Sequence, residues 1–178
     1  KPYHIIEKQI RDGSGATSPI KIGFIGFVPP QIMLWDAKNL AGKAQTRDIL
    51  QAARAWVPQI KEEGADIVIA LSHSGIDGHG ESEGMENASL YLAGVEGIDA
   101  IFTGHQHLVF PGPKDFENVP GADAVKGTLL GKPAVMAGFW GSHMGLIDLL
   151  LEKDGSGWKI VDFTCEARPI YHRDDKRK

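Results

Sequence analysis

A chain of 178 residues, 42% apolar and 24% charged, has room for one domain with a buried core and the make-up of an ordinary globular protein. A net charge of −4 and a pI near 6.0 leave no basic footprint for a nucleic-acid polymer and no polybasic membrane patch. No apolar run approaches the roughly 20 residues that a membrane-spanning helix needs.

The chain starts at Lys1 with no signal-peptide pattern after it, so a processed product or a piece of a longer chain is expected. RDGSGATSP (11–19) reads as a turn-rich connector punctuated by Gly13, Gly15 and Pro19. IKIGFIGFV (20–28) is apolar and β-rich, and Pro29 and Pro30 stop it, which predicts a buried strand. From Thr46 to Glu63 the apolar residues Ile49, Ala52, Ala53, Trp56, Val57 and Ile60 fall on one helical face. Thr46 is the expected N-cap, Asp48 suits the first turn, and Gly64 suits the C′ position. Pro58 is expected to bend this helix.

ADIVIALS (65–72) is a continuous apolar run, the pattern of a strand buried on both faces. A second helix is expected from about Gly84 to Val95, closed by Gly97, and IDAIF (98–102) reads as another short buried strand. Strand, helix and strand at this spacing predict a right-handed β-α-β unit with parallel strands. A long polar loop is expected over 111–127. KPAVMAG (132–138), GLIDLLLEK (145–153) and WKIVDFTCEAR (158–168) read as strands, the last two joined by a DGSG turn at 154–157. The charged tail YHRDDKRK (171–178) is expected to fray. The one cysteine, Cys165, rules out an internal disulfide and a Cys-rich zinc site, and reads as a small core residue on a strand.

Two loops carry the chemistry. ALSHSG sets His73 just past one predicted strand, and FTGHQH sets His105 and His107 just past the next. In open parallel sheets that edge is where ligands bind. Neutral imidazole suits Zn, Mn, Fe or Ni. Side chains two apart share a face if the loop stays extended, which would let His105 and His107 converge, and Gly104 would allow a tight exit from the strand. Other candidates are weaker. DGHGESEGMEN (77–87) does not match the alternating ligands of a calcium loop, and it reads as a solvated loop with an exposed His79. GFWGSHMG (138–145) reads as a strand entry bearing His143 with a packed Trp140. His4 and His172 lie near the termini and carry no signal. P-loop, dinucleotide-fold glycine and nucleophile-elbow motifs are absent from the sequence.

ADIVIALSHSG, followed about thirty residues later by GIDAIFTGHQH, resembles the second half of the calcineurin-like metallophosphoesterases and is similar to their 5′-nucleotidase branch. GFVPPQIMLWDAKNLAGK, FPGPKDF, GADAVKGTLLGKPAVMAGFWGSHMGLIDLLL and EARPIY extend the likeness over nearly the whole chain, toward periplasmic bacterial members acting on 2′,3′-cyclic and 3′-nucleotides. The resemblance implies part of an αββα sandwich, in which a β-α-β unit is followed by antiparallel strands. It implies a site of two divalent metal ions (Zn, Mn or similar), with His73 and His105 on one and His107 on the other. It also implies a parent enzyme that opens 2′,3′-cyclic nucleotides to 3′-nucleotides and then releases nucleoside and phosphate.

Residues 1–72, ahead of His73, hold no D-x-H motif and no bridging Asp in a metal-ligand context, and no Asn-His pair occurs in the sequence; the resemblance therefore places these, the last bearing the catalytic histidine, upstream of Lys1, and the family's nucleotide-binding domain downstream of Lys178. Residues 1–178 thus read as the second half of a catalytic domain, with three ligands and no catalytic residue of its own. Without the bridging carboxylate two dications repel each other unscreened, so one weakly held metal at most and negligible activity are expected of this piece. Self-association through an exposed sheet edge is expected. A 5′-nucleotidase or broad nucleotide phosphatase, and a non-catalytic interaction or weak metal-binding module, are the rival readings.

Overall fold

Asp12 makes the first turn of the molecule. Its carboxylate accepts from the Ser14 N–H at 2.8 Å, the Ser14 hydroxyl at 2.6 Å and the Ala16 N–H at 3.1 Å. The turn joins β1 (Tyr3–Arg11) to β2 (Thr17–Phe27) as an antiparallel hairpin. The predicted connector therefore shrinks to its middle, and β2 begins three residues earlier than expected. These coordinates come from a computed structural model that describes residues 1–155 and 157–171. Ser156, in the predicted hairpin turn, and the tail from His172 onward lie outside the described residues.

Two one-turn helices, α1 (Ile32–Trp35) and α2 (Ala37–Leu40), follow the proline stop. Helix α3 (Ile49–Glu62) carries the expected apolar face, with Ile49, Leu50, Ala53, Val57 and Ile60 buried. Its N-cap is Asp48 and not Thr46: the Asp48 carboxylate accepts from the Gln51 N–H at 2.9 Å, satisfying one free donor of the first turn. Pro58 lies inside the helix, and Gly64, at φ +91°, takes the left-handed position after it.

Next come β3 (Ile67–Ser72), α4 (Ser89–Ala93) and β4 (Ala100–Thr103). Helix α4 is shorter than the predicted 84–95. Asn87 Oδ1 accepts from the Gly75 N–H at 3.2 Å, and Ser74 Oγ donates to the Glu86 carbonyl at 2.7 Å while accepting from the Ala88 N–H at 2.7 Å. These bonds hold residues 86–88 to the loop after β3 and compete with a helical ladder. The stretch predicted as loop contains short pieces: β5 (Val109–Phe110), α5 (Pro113–Phe116), β6 (Ala122–Asp123) and β7 (Thr128–Leu129). The three later strands stand where the sequence places them, as β8 (Lys132–Ala137), β9 (His143–Asp154) and β10 (Gly157–Pro169).

The main sheet runs β1-β2-β3-β4-β8-β7-β6, with β5 pairing β8 off this path. Strands β2, β3, β4 and β8 are mutually parallel, as the β-α-β reading requires, and β9 pairs β10 antiparallel in a second sheet. One face of the main sheet packs on α3 and α4. There Ile25, Val68, Ala70, Ile101, Ala134 and Met136 join the helices' buried residues in the core. Gly23 belongs to this face because a Cβ there would run into Ile60.

The β9-β10 hairpin lies against the other face. Gly145 meets Val135, and the Trp158 indole N–H donates to the Pro19 carbonyl at 2.8 Å. Ile20, Ile67, Ala100 and Val135 are buried on this side. Beyond the hairpin Leu71 is 45% exposed, and Phe24, Ile69 and Phe102 are half-buried. The run 65–72 is therefore buried fully on one face only, a correction to the two-sided burial expected of it. No helix among the described residues is long and apolar enough to cross a membrane.

Candidate functional site

The ends of β3 and β4 rest on a buried hydroxyl lattice. The Ser74 carbonyl accepts from Thr103 Oγ1 at 2.5 Å and Ser89 Oγ at 2.8 Å, and Ser72 Oγ lies 3.0 Å from Ser89 Oγ. All four side chains are buried, so these bonds satisfy groups that water does not reach. The lattice joins β3, α4 and β4 just below the histidine loops. From this base His73 follows β3, its N–H bonded to the Phe27 carbonyl at 2.9 Å.

His105 and His107 do not sit in an extended loop. Both are left-handed, at φ 73° and φ 60°, and Gln106 N–H bonds back to the Gly104 carbonyl at 2.9 Å. The condition under which the two rings would share a face is not met. His105 turns toward His73, their ring centroids 5.3 Å apart and tilted by 59°. Trp35 of α1 stacks on His105 at 4.9 Å. The Nε2 of His105 lies 2.6 Å from Glu86 Oε1. His107 instead stacks on Phe139 at 5.4 Å.

Gln106, between them, reaches a third neighbour. Its Oε1 accepts from the Ile76 N–H at 2.7 Å and its amide donates to the Ile76 carbonyl at 3.3 Å. Residue 75 must be glycine here, since a Cβ would collide with both Gln106 and Asn87.

Residues 77–87 are more firmly tied than a solvated loop. Besides the Glu86 contact, the Gly84 N–H donates to Asp48 Oδ2 and the Gly84 carbonyl accepts from the Gln31 amide, both at 2.8 Å. Arg54 pairs with Glu81 at 2.8 Å. His79 does project into solvent, 97% exposed, and touches Asp77. The His79 backbone N–H, then its ring, hold the Asp77 carboxyl below the usual carboxylate range.

His143 opens β9 as expected, its Nδ1 2.9 Å from Ser142 Oγ. Trp140 is not a packed aromatic: it is 95% exposed at φ 50°, and its ring meets Phe139 in an edge contact at 5.3 Å. Cys165 lies on β10, half-buried, and burial pushes its thiol up, which keeps it protonated and unreactive near neutrality.

Trp35, Glu86 and Gln106 were not singled out by the sequence. Glu86 stands in an acidic run 19 residues from its histidine, and only the tertiary fold makes that run different from any other. Among the described residues no three His, Cys, Asp or Glu side chains group so as to hold an ion. The structure thus brings His73 and His105 together with Glu86 beside His105, and sets His107 against Phe139.

Residues 13–109 match the profile of the calcineurin-like phosphoesterase family. The chain is 51% identical, over 96% of its length, to the 2′,3′-cyclic-nucleotide 2′-phosphodiesterase/3′-nucleotidase of Salmonella typhimurium, and 44% identical, over 97%, to the protein of the same name from Yersinia enterocolitica. It spans 26% of the length of each. A trifunctional nucleotide phosphoesterase of Bacillus subtilis is 48% identical over 90% of the chain, which covers 11% of it. The crystal structure of the calcineurin-like phosphoesterase YfkN from Bacillus subtilis superposes with a TM-score of 0.90 at 46% identity, over 94% of this chain and 50% of that one.

Proposed function

Because this chain belongs to the calcineurin-like phosphoesterase family, we propose that it is part of a bacterial metal-dependent enzyme that hydrolyses phosphoric esters of nucleotides. The preferred substrates are 2′,3′-cyclic nucleotides, opened to 3′-nucleotides, and then the 3′-nucleotides themselves, cleaved to nucleoside and phosphate. The enzyme works in the periplasm. In this reading His73, His105 and His107 are the chain's contribution to a centre of two divalent cations. Cations held there would supply Lewis acidity, activating water and offsetting charge on the phosphoryl oxygens. Since the donors of this chain do not close a site, no step is assigned to it alone, and its own turnover is negligible.

One observation supports this reading above the others: His73 and His105 meet at the C-terminal ends of two adjacent parallel strands, 5.3 Å apart, on a fully bonded buried base. A non-catalytic module has no need of that convergence. A broader nucleotide phosphoesterase is the second reading, favoured by the name of the trifunctional relative.

The test measures phosphate release from 2′,3′-cyclic AMP, 3′-AMP and 5′-AMP by this chain and by the full-length protein, with zinc or manganese. Release by the full-length protein from the first two substrates, and none by the chain, is expected. Equal rates on 5′-AMP would favour the broader enzyme. Zinc isotherms identical for the wild type and a His73/His105/His107 triple alanine variant would remove the metal site. We further propose that the chain by itself associates through the outer strand β1, which a purely monomeric sedimentation profile would contradict.

A further inference from the structure

Among the described residues, the hydrogen bond to the His105 ring comes from outside its own loop, from the carboxylate of Glu86. We propose that Glu86 is a positioning residue for His105: it accepts the Nε2–H, so that the ring is held in one tautomer and Nδ1 is the nitrogen left to bind a cation. The distance of 2.6 Å is that of a strong, charge-assisted hydrogen bond. A carboxylate can only accept, so Nε2 must carry the proton, and a neutral ring then presents its lone pair at Nδ1. Outer carboxylates that orient metal-binding histidines in this way raise ligand basicity and fix ring direction.

Two further observations show that the pair is built. The first is the anchoring of Glu86. Its carbonyl accepts from Ser74 Oγ, and the next residue, Asn87, accepts from the Gly75 N–H. Ser74 and Gly75 directly follow His73, so the segment that orients one histidine is bolted to the loop that carries the other. The second is the face of the ring. Trp35 stacks on His105 at an interplanar angle of 22°, so the imidazole is held by a plane as well as at an edge. A solvent-facing glutamate that met a histidine by chance would need neither.

The inference takes its importance from the proposed role of His105 as a ligand, but the tautomer is a property of the metal-free protein and is read without a metal. The experiment is imidazole nitrogen NMR on the 15N-labelled chain at about pH 8, where histidine is largely neutral. The wild type is expected to show His105 protonated at Nε2, with a proton protected from exchange with water. Glu86→Ala is expected to lose that protected proton, and Glu86→Gln, whose amide oxygen still accepts, to keep it at an altered shift. A wild-type proton on Nδ1 would overturn the inference without recourse to any variant. So would a protected Nε2–H that survives in Glu86→Ala.

Backbone amide spectra that match the wild type establish that each variant is folded. The second arm adds zinc. Glu86→Ala is expected to bind about 10–100-fold more weakly than wild type, with Glu86→Gln between them. If zinc binds neither wild type nor variants, the donors of this chain are too few to hold an ion by themselves, and the Glu86-held tautomer is still decided by the first arm.

Discussion

The two faces of the main sheet are made of the same residue types and meet different fates. Val68 and Ala70 of β3 point toward α3 and α4 and are fully buried, while Ile69 and Leu71, alternating with them, point the other way and are not. On the helix side, packing is tight enough to dictate glycine at position 23. On the other side the β9-β10 hairpin covers the end where the strands begin and leaves the end nearer the histidines half-open. An apolar run therefore reports that a strand is central in its sheet; it does not report that both faces are filled.

Substitutions can break that comparison. The largest effect is expected at Ile60, fully buried on α3 against Gly23: Ile60→Ala should destabilise by about 2–5 kcal/mol in urea unfolding, through lost transfer energy and the cavity left behind. A loss no greater than that of a surface substitution would mean that the helix face is not the core. Next is Leu71→Ser, on the open face, expected to cost less than about 1 kcal/mol because half of the side chain is already in water. A cost like that at Ile60 would show the two faces to be equally packed in solution.

The smallest effect belongs to the covering hairpin, where Glu166 pairs with Arg168 on its exposed side at 2.6 Å. Hydrogen bonding to Arg168 holds the Glu166 carboxyl below the usual range. A carboxyl depressed on folding stabilises above its unfolded pKa, and that stabilisation is lost as pH falls through the folded value. Glu166→Gln should therefore lower Tm slightly at neutral pH, and the gap to the wild type should shrink at an acid pH below the depressed folded range, where the carboxyl takes up its proton. A constant offset at both pH values would assign the effect to packing.

The elements that the sequence made legible are those whose pattern is set by burial. The face of α3, the runs of β3 and β4 and the long strands β8 to β10 all show it. Strand β1 was missed because an edge strand buries little: Glu7, Lys8 and Gln9 are exposed in succession and break the alternation. The N-cap moved from Thr46 to Asp48, and α4 lost its first turns, because polar side chains at 48, 74 and 87 bind backbone amides chosen by the tertiary fold. At the site, the histidine types and their placement at strand ends were readable. The separation of His105 from His107 was not, since it depends on two left-handed residues that no spacing rule predicts. Glu86 and Trp35 reach His105 from distant parts of the chain, so no local pattern could have named them.

The tetrapeptide Gly104-His105-Gln106-His107 sends its three polar side chains to three separate supports: Glu86 and Trp35, the backbone of Ile76, and Phe139. It is less a self-contained cassette than a three-way joint. Grafted onto a strand end of another scaffold, it would carry the right letters and none of the struts. A transplant that keeps the ring directions must bring residues 73–76 and 86–87 with it, glycine 75 included, because that is where the joint is bolted down.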